Sequence, residues 1–154
     1  MNENISNTPD AGARILVLER VFKGSPEGVF AAFASAEAIS RWFGPEGCEV
    51  LEAEVDFCEG GSYRLRITTE DGRGITLVGV YQTIEPPGHL AFSWRWEDHP
   101  GFNPCDSFVE ILFIDHPDGT LLRLVQTGIE DDSDRGSHVI GWSSTFNKLE
   151  ALFS

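Results

Sequence analysis

Residues 133–153 read SDRGSHVIGWSSTFNKLEALF. His138, Trp142, Thr145, Phe146, Leu149, Leu152 and Phe153 recur at three- and four-residue spacing, which lays them along one face of a helix of about 20 residues. Asp131, Asp132 and Asp134 gather near its start, where acids suit the positive end of the helix dipole. Gly136 and Gly141 lower its intrinsic propensity, so packing must hold it. A long helix with one apolar face needs a surface to lie on.

The text before it supplies that surface as strands separated by turns. Working backward, Thr120–Thr127 follows the turn His116-Pro117-Asp118-Gly119, and Ser107–Ile114 precedes that turn. A polar loop from Glu97 to about Cys105 contains Pro100, Gly101 and Pro104. His89–Trp96 follows Pro86-Pro87-Gly88, and Ile75–Ile84 follows the hairpin text EDGRG, where Asp71-Gly72 tolerates positive φ. Ser62–Thr69 and Cys48–Phe57 flank Gly60-Gly61. Further upstream, Ser25-Pro26-Glu27 opens a short helix with Val29, Phe30 and Phe33. Ser35 restarts a second one carrying Ile39, Trp42 and Phe43, and Gly44-Pro45 stops it. Ile15-Leu16-Val17-Leu18 begins a first strand. Residues 1–13 are polar and read as a flexible arm. The order predicts one α+β domain over residues 14–154: a curved antiparallel sheet of about seven strands wrapped around the C-terminal helix, with two short helices after the first strand. A bent sheet and a straight helix cannot meet everywhere, so a cavity between them is expected.

Alternation assigns the inward rows. Leu90, Phe92, Trp94 and Trp96 share one face of their strand, Tyr63, Leu65 and Ile67 another, with Tyr81 on the strand between. Val109, Ile111 and Phe113 form a row, as do Leu122, Leu124 and Gln126. With Trp42, Phe43, His138, Trp142 and Phe146 these are the expected lining of an apolar chamber. Each is also an ordinary core residue when taken alone. Tyr63, Tyr81, Trp94, Gln126 and His138 are the polar atoms that would orient a ligand.

Composition removes several classes. The chain has 25 acids against 11 bases, a net charge of −14. No basic cluster exists to displace counterions from nucleic acid or to meet an anionic membrane. Cys48, Cys58 and Cys105 are an odd number without a Cys-x-x-Cys pair, which argues against a disulfide framework and for a reducing compartment. The N-terminal text has no signal pattern and no apolar run is long enough to span a bilayer, so a cytoplasmic location is expected. Glu52, Glu54 and Asp56 alternate along one strand face as a solvated row. His89, His99, Cys105 and His116 lack metal-ligand spacing. No nucleophile, phosphate-loop or dinucleotide motif appears. No metal, cofactor or catalytic residue is therefore assigned.

These residues together resemble a family. Arg41-Trp42-Phe43-Gly44-Pro45, Asp56 with Gly60-Gly61-Ser62-Tyr63, and Gly79-Val80-Tyr81 with Ile84-Glu85-Pro86-Pro87 carry the resemblance. So do Leu90-Ala91-Phe92-Ser93-Trp94, Gly119-Thr120, and His138 with Gly141-Trp142. The chain is similar to the family named after the activator of the heat-shock protein 90 ATPase, within the START-like (SRPBCC) superfamily, over about residues 14–154. The resemblance implies a helix-grip fold that holds a small hydrophobic molecule. The family often carries His in the last strand where this chain has Gln126, which removes one polar group from the expected pocket. The namesake's separate N-terminal domain has no room in this chain, so stimulation of a chaperone ATPase is not expected to carry over.

The first expectation is a module that binds a small apolar molecule entering near the short helices and the 97–105 loop. A second is an enzyme of the polyketide-cyclase or hydrolase type, with His138 as base and a tyrosine as acid. A third is a protein-interaction domain with a chaperone contact. Homodimer formation is compatible with all three.

Overall fold

The computed structural model describes residues 15–69, 71–102 and 105–154; the expected arm at residues 1–13 lies outside them. Seven strands form one antiparallel sheet: β1 (Ile15–Phe22), β2 (Val50–Val55), β3 (Ser62–Thr68), β4 (Gly74–Glu85), β5 (His89–Trp96), β6 (Ser107–His116) and β7 (Gly119–Thr127). Two short helices, α1 (Pro26–Ala31) and α2 (Ala36–Ile39), follow β1, and α3 (Asp132–Ala151) ends the chain. The sheet order is β1-β7-β6-β5-β4-β3-β2. Six strands thus meander, and β1 closes onto β7 with Ile15 opposite Thr127 and Phe22 opposite Thr120.

Local chemistry explains the boundaries. The Ser25 and Ser35 hydroxyls each accept the amide of the residue three ahead, Gly28 and Ala38, at 3.1 Å, and Pro26 occupies the first turn where no donor is missed. The Asp131 carboxylate caps α3 through the Asp134 amide at 2.9 Å. α2 is shorter than the sequence suggests: Trp42 and Phe43 follow it in a turn. At Gly119 a positive φ of 137° coincides with the carbonyl of Phe22 pressing on the site of a Cβ, so only glycine joins β6 to β7 there. Gly79 leaves room for the Tyr63 ring to lie against the sheet.

Register shifts at Val50/Glu52 and Tyr81/Thr83 mark irregularities that bend the sheet. The concave face buries the rows expected from alternation, with Leu122, Leu124 and Ile111 fully enclosed. α3 crosses this face, the arrangement expected of a helix-grip fold. Arg20 ties it to β1 through Asn147, Glu150 and the Ser143 carbonyl. Lys148 donates to the carbonyls of Phe43 and Cys48 on the other side.

The filling of the concave face differs from expectation. The sequence points to α3 as the filler. The structure adds Phe30 and Phe33 from α1 and its end, with Trp42. Phe30 and Phe33 meet Phe113 at 5.1 and 5.5 Å, and Phe33 meets Trp42 at 4.7 Å. These rings, set edge to face, fill the middle of the sheet, so the hollow is confined to one end of it.

Candidate functional site

That end is where the β3–β4 hairpin, the tail of β5 and the loop after it converge on the N-terminal half of α3. A cavity of about 230 Å³ opens there. Phe43, Gly44, Pro45 and Cys48 wall it from the segment after α2. Ile67, Thr68, Thr69 and Ile75 come from the hairpin, Trp94 and Trp96 from β5, His99 and Phe102 from the following loop, and Ser137, His138, Gly141, Trp142 and Thr145 from α3. Gly141 contributes by what it lacks: a Cβ there would meet nothing within 4 Å.

Phe43, Trp94, Trp96, His138 and Trp142, five of the residues read from sequence as lining, are brought together here. Trp42, Tyr63, Leu65, Tyr81 and Phe92 surround a second space of only about 30 Å³, about enough for one water molecule. Val109, Ile111, Phe113, Leu122, Leu124 and Phe146 are buried core lining neither space. Gln126 is spent internally: it accepts from the Trp142 indole at 2.9 Å and donates to Ser107 at 3.0 Å. Ser107 in turn donates to the Trp94 carbonyl at 3.0 Å. Tyr63 donates to the Ser93 carbonyl at 2.6 Å. Burial pushes the Tyr63 and Tyr81 hydroxyls well above the usual phenol range.

Reading the sequence missed Cys48, Ile75, Phe102 and Thr145 as wall, whereas Ile67, in the inward row of β3, is brought to it. Thr145 was on the correct helix face. An aromatic residue in an otherwise polar loop was the one available signal for Phe102. That ring stacks on His99 at 3.9 Å and lies 4.5 Å from His138, so the loop covers one side of the cavity.

His138 is the polar centre. Its Nδ1 lies 2.8 Å from the Asp134 carbonyl, an acceptor only, so Nδ1 carries the proton and Nε2 a lone pair. The indole N–H groups of Trp96 and Trp94 both aim at that lone pair, at 3.1 and 3.4 Å. Burial lowers the His138 pKa from its ordinary value, opposed by its bond to Asp134, and protonation would set an N–H against two N–H donors. The ring is therefore neutral.

Among the described residues no group of three His, Cys, Asp or Glu side chains is placed to hold a metal ion. Among the described residues Cys48, Cys58 and Cys105 form no disulfide. No described helix is long and apolar enough to cross a membrane. Glu52, Glu54 and Asp56 are exposed, as the alternation predicts.

Comparison with known proteins agrees with the fold. The family profile described as Activator of Hsp90 ATPase homolog 1-like protein matches residues 23–154. No curated protein matches significantly. A crystal structure of a Chromobacterium violaceum protein is similar with a TM-score of 0.79 and 30% identity, over 91% of this chain and 96% of that one. The AHSA1 protein from Silicibacter pomeroyi aligns with a TM-score of 0.76 and 28% identity, over 89% and 95% of the two chains. A Mycobacterium smegmatis protein shares the fold at 18% identity and a TM-score of 0.76, over 94% and 93%.

Proposed function

The chain belongs to the Activator of Hsp90 ATPase homolog 1-like protein family, and from that premise we propose that it binds a small, largely apolar molecule in the cavity between β3–β5 and α3. The observation that carries this reading is a hollow of about 230 Å³ walled by Phe43, Ile67, Ile75, Trp94, Trp96 and Trp142. An empty apolar space of this size forfeits contacts on every wall, and a ligand of matching shape restores them. An engineered apolar cavity of about 150 Å³ takes benzene, so this one suits one or two fused rings.

Holding a ligand fits the polar groups better than transforming one. The His138 lone pair is engaged by two indoles, Tyr63 is bound to Ser93, and both phenols are held far from a pKa useful to an acid catalyst.

Native mass spectrometry of freshly purified protein, with a titration by indane, tests the reading. Uptake of one indane per chain is expected. Gly141→Leu projects a side chain into the empty space over the helix and is expected to abolish uptake while the fold survives. If wild-type protein takes up no indane, or the Leu variant binds it equally well, the cavity is not the site.

A further inference from the structure

The polar groups around His138 are unbalanced, and the imbalance bears on the ligand. His138 offers one lone pair, because its other nitrogen donates to Asp134. Two indole N–H groups compete for it. An indole is a donor only, and one sp² lone pair holds one good hydrogen bond. Trp96 has the shorter bond at 3.1 Å, and Trp94 is left at 3.4 Å although Trp94 is only 5% exposed. Around His138 the donors therefore outnumber the acceptors.

Charge complements this. Among the described residues no Asp, Glu, Lys or Arg lines the cavity. Lys148 directs its ammonium to the Phe43 and Cys48 carbonyls. An ionised ligand would lose its hydration without meeting a counter-charge, and the net charge of −14 repels anions before they arrive.

Resting on the cavity reading above, we infer that the ligand is a neutral one- or two-ring aromatic compound bearing a hydrogen-bond acceptor, a carbonyl oxygen, which takes the indole N–H of Trp94. Trp96 then keeps the His138 lone pair to itself, and the ring system lies against Trp142 and Phe43.

Three test ligands of one shape separate the terms: indane, 1-indanone and indane-1-carboxylate, titrated into the full chain and followed by NMR. Trp94→Phe keeps a ring and removes the N–H. It is expected to weaken 1-indanone about tenfold more than it weakens indane, the size of one hydrogen bond to a buried donor. In wild-type protein, 1-indanone is expected to shift the Trp94 indole N–H resonance and indane to leave it in place. This second measurement stands whether or not the variant folds. Equal responses of indane and 1-indanone, an unmoved Trp94 resonance, or tighter binding of the carboxylate than of the ketone overturns the inference while indane binding keeps the cavity reading. Failure of indane itself to bind overturns both.

Discussion

Phe146 and His138 lie two turns apart on α3, both buried, and face opposite kinds of interior. Around Phe146 the space is solid. Phe22 meets its ring edge-on at 5.7 Å, Arg20 covers it at 5.8 Å, and Leu149 is fully enclosed. Around His138 the same sheet face and the same helix leave about 230 Å³ open. The difference follows from side-chain size along the helix. Phe146 and Leu149 reach the sheet, whereas Gly141 has no side chain and His138 turns its nitrogens to Asp134 and the indoles. Packing and hollow therefore come from one helix whose two halves carry large and small groups.

The contrast can be broken most forcefully from the solid side. Phe146→Ala leaves a void among atoms that have little freedom to collapse, and is expected to cost about 3–5 kcal/mol. Ile67→Ala enlarges a space that is already empty, and is expected at the lower end of its class, about 2 kcal/mol. Urea midpoints at unchanged slope measure both. Equal losses would mean that the two interiors are not physically distinct.

Acid distinguishes the halves next. His138 is held below the ordinary 6.5 first by burial, with Asp134 opposing and His99 adding to the depression; His99 is lowered too, chiefly by burial. The unfolded chain binds these protons more readily than the native one. Stability is then complete above about pH 6.5 and declines as pH falls toward the native pKa values. His89, on the outer face, behaves in the opposite sense. Burial pulls it down, but the Glu110 and Glu85 carboxylates at 2.7 and 3.2 Å prevail and raise it. Its contribution is complete below 6.5 and fades as pH rises through its native pKa. NMR titration should find His138 below 6.5 and His89 above it; the reverse order would remove the neutral imidazole from the site.

The smallest effect comes from filling the hollow by one methyl group. Gly141→Ala improves helix propensity and meets no atom within 4 Å, so a gain of up to about 1 kcal/mol is expected. A loss in thermal unfolding would show that the space over Gly141 is not free.

The strands, the caps at Ser25 and Ser35 and the buried face of α3 were legible because each depends on near neighbours in the chain. Alternation at Leu90, Phe92 and Trp94 needs only a period of two, and the helix face from His138 to Leu149 only a period of 3.6. The site was legible in part. Phe43, Trp94, Trp96, His138 and Trp142 are found at the cavity, whereas Tyr63, Tyr81 and Phe92 are found in nearly solid interior. Nothing local distinguishes the two sets. All are large groups pointing inward, and what divides them is how closely neighbouring rings pack on them: Tyr63, Tyr81 and Phe92 meet one another, and Phe57 closes on Tyr81.

From residue order alone come the antiparallel meander, the long closing helix, the family resemblance and the expectation that charge disfavours a polyanion partner, since patterning and composition are properties of the chain itself. Where the space between sheet and helix stays open was decided only in three dimensions. It depends on how far side chains from β1, α1 and α3 reach into one another's volume, and packing at that scale joins residues more than 100 positions apart, such as Phe22 and Phe146.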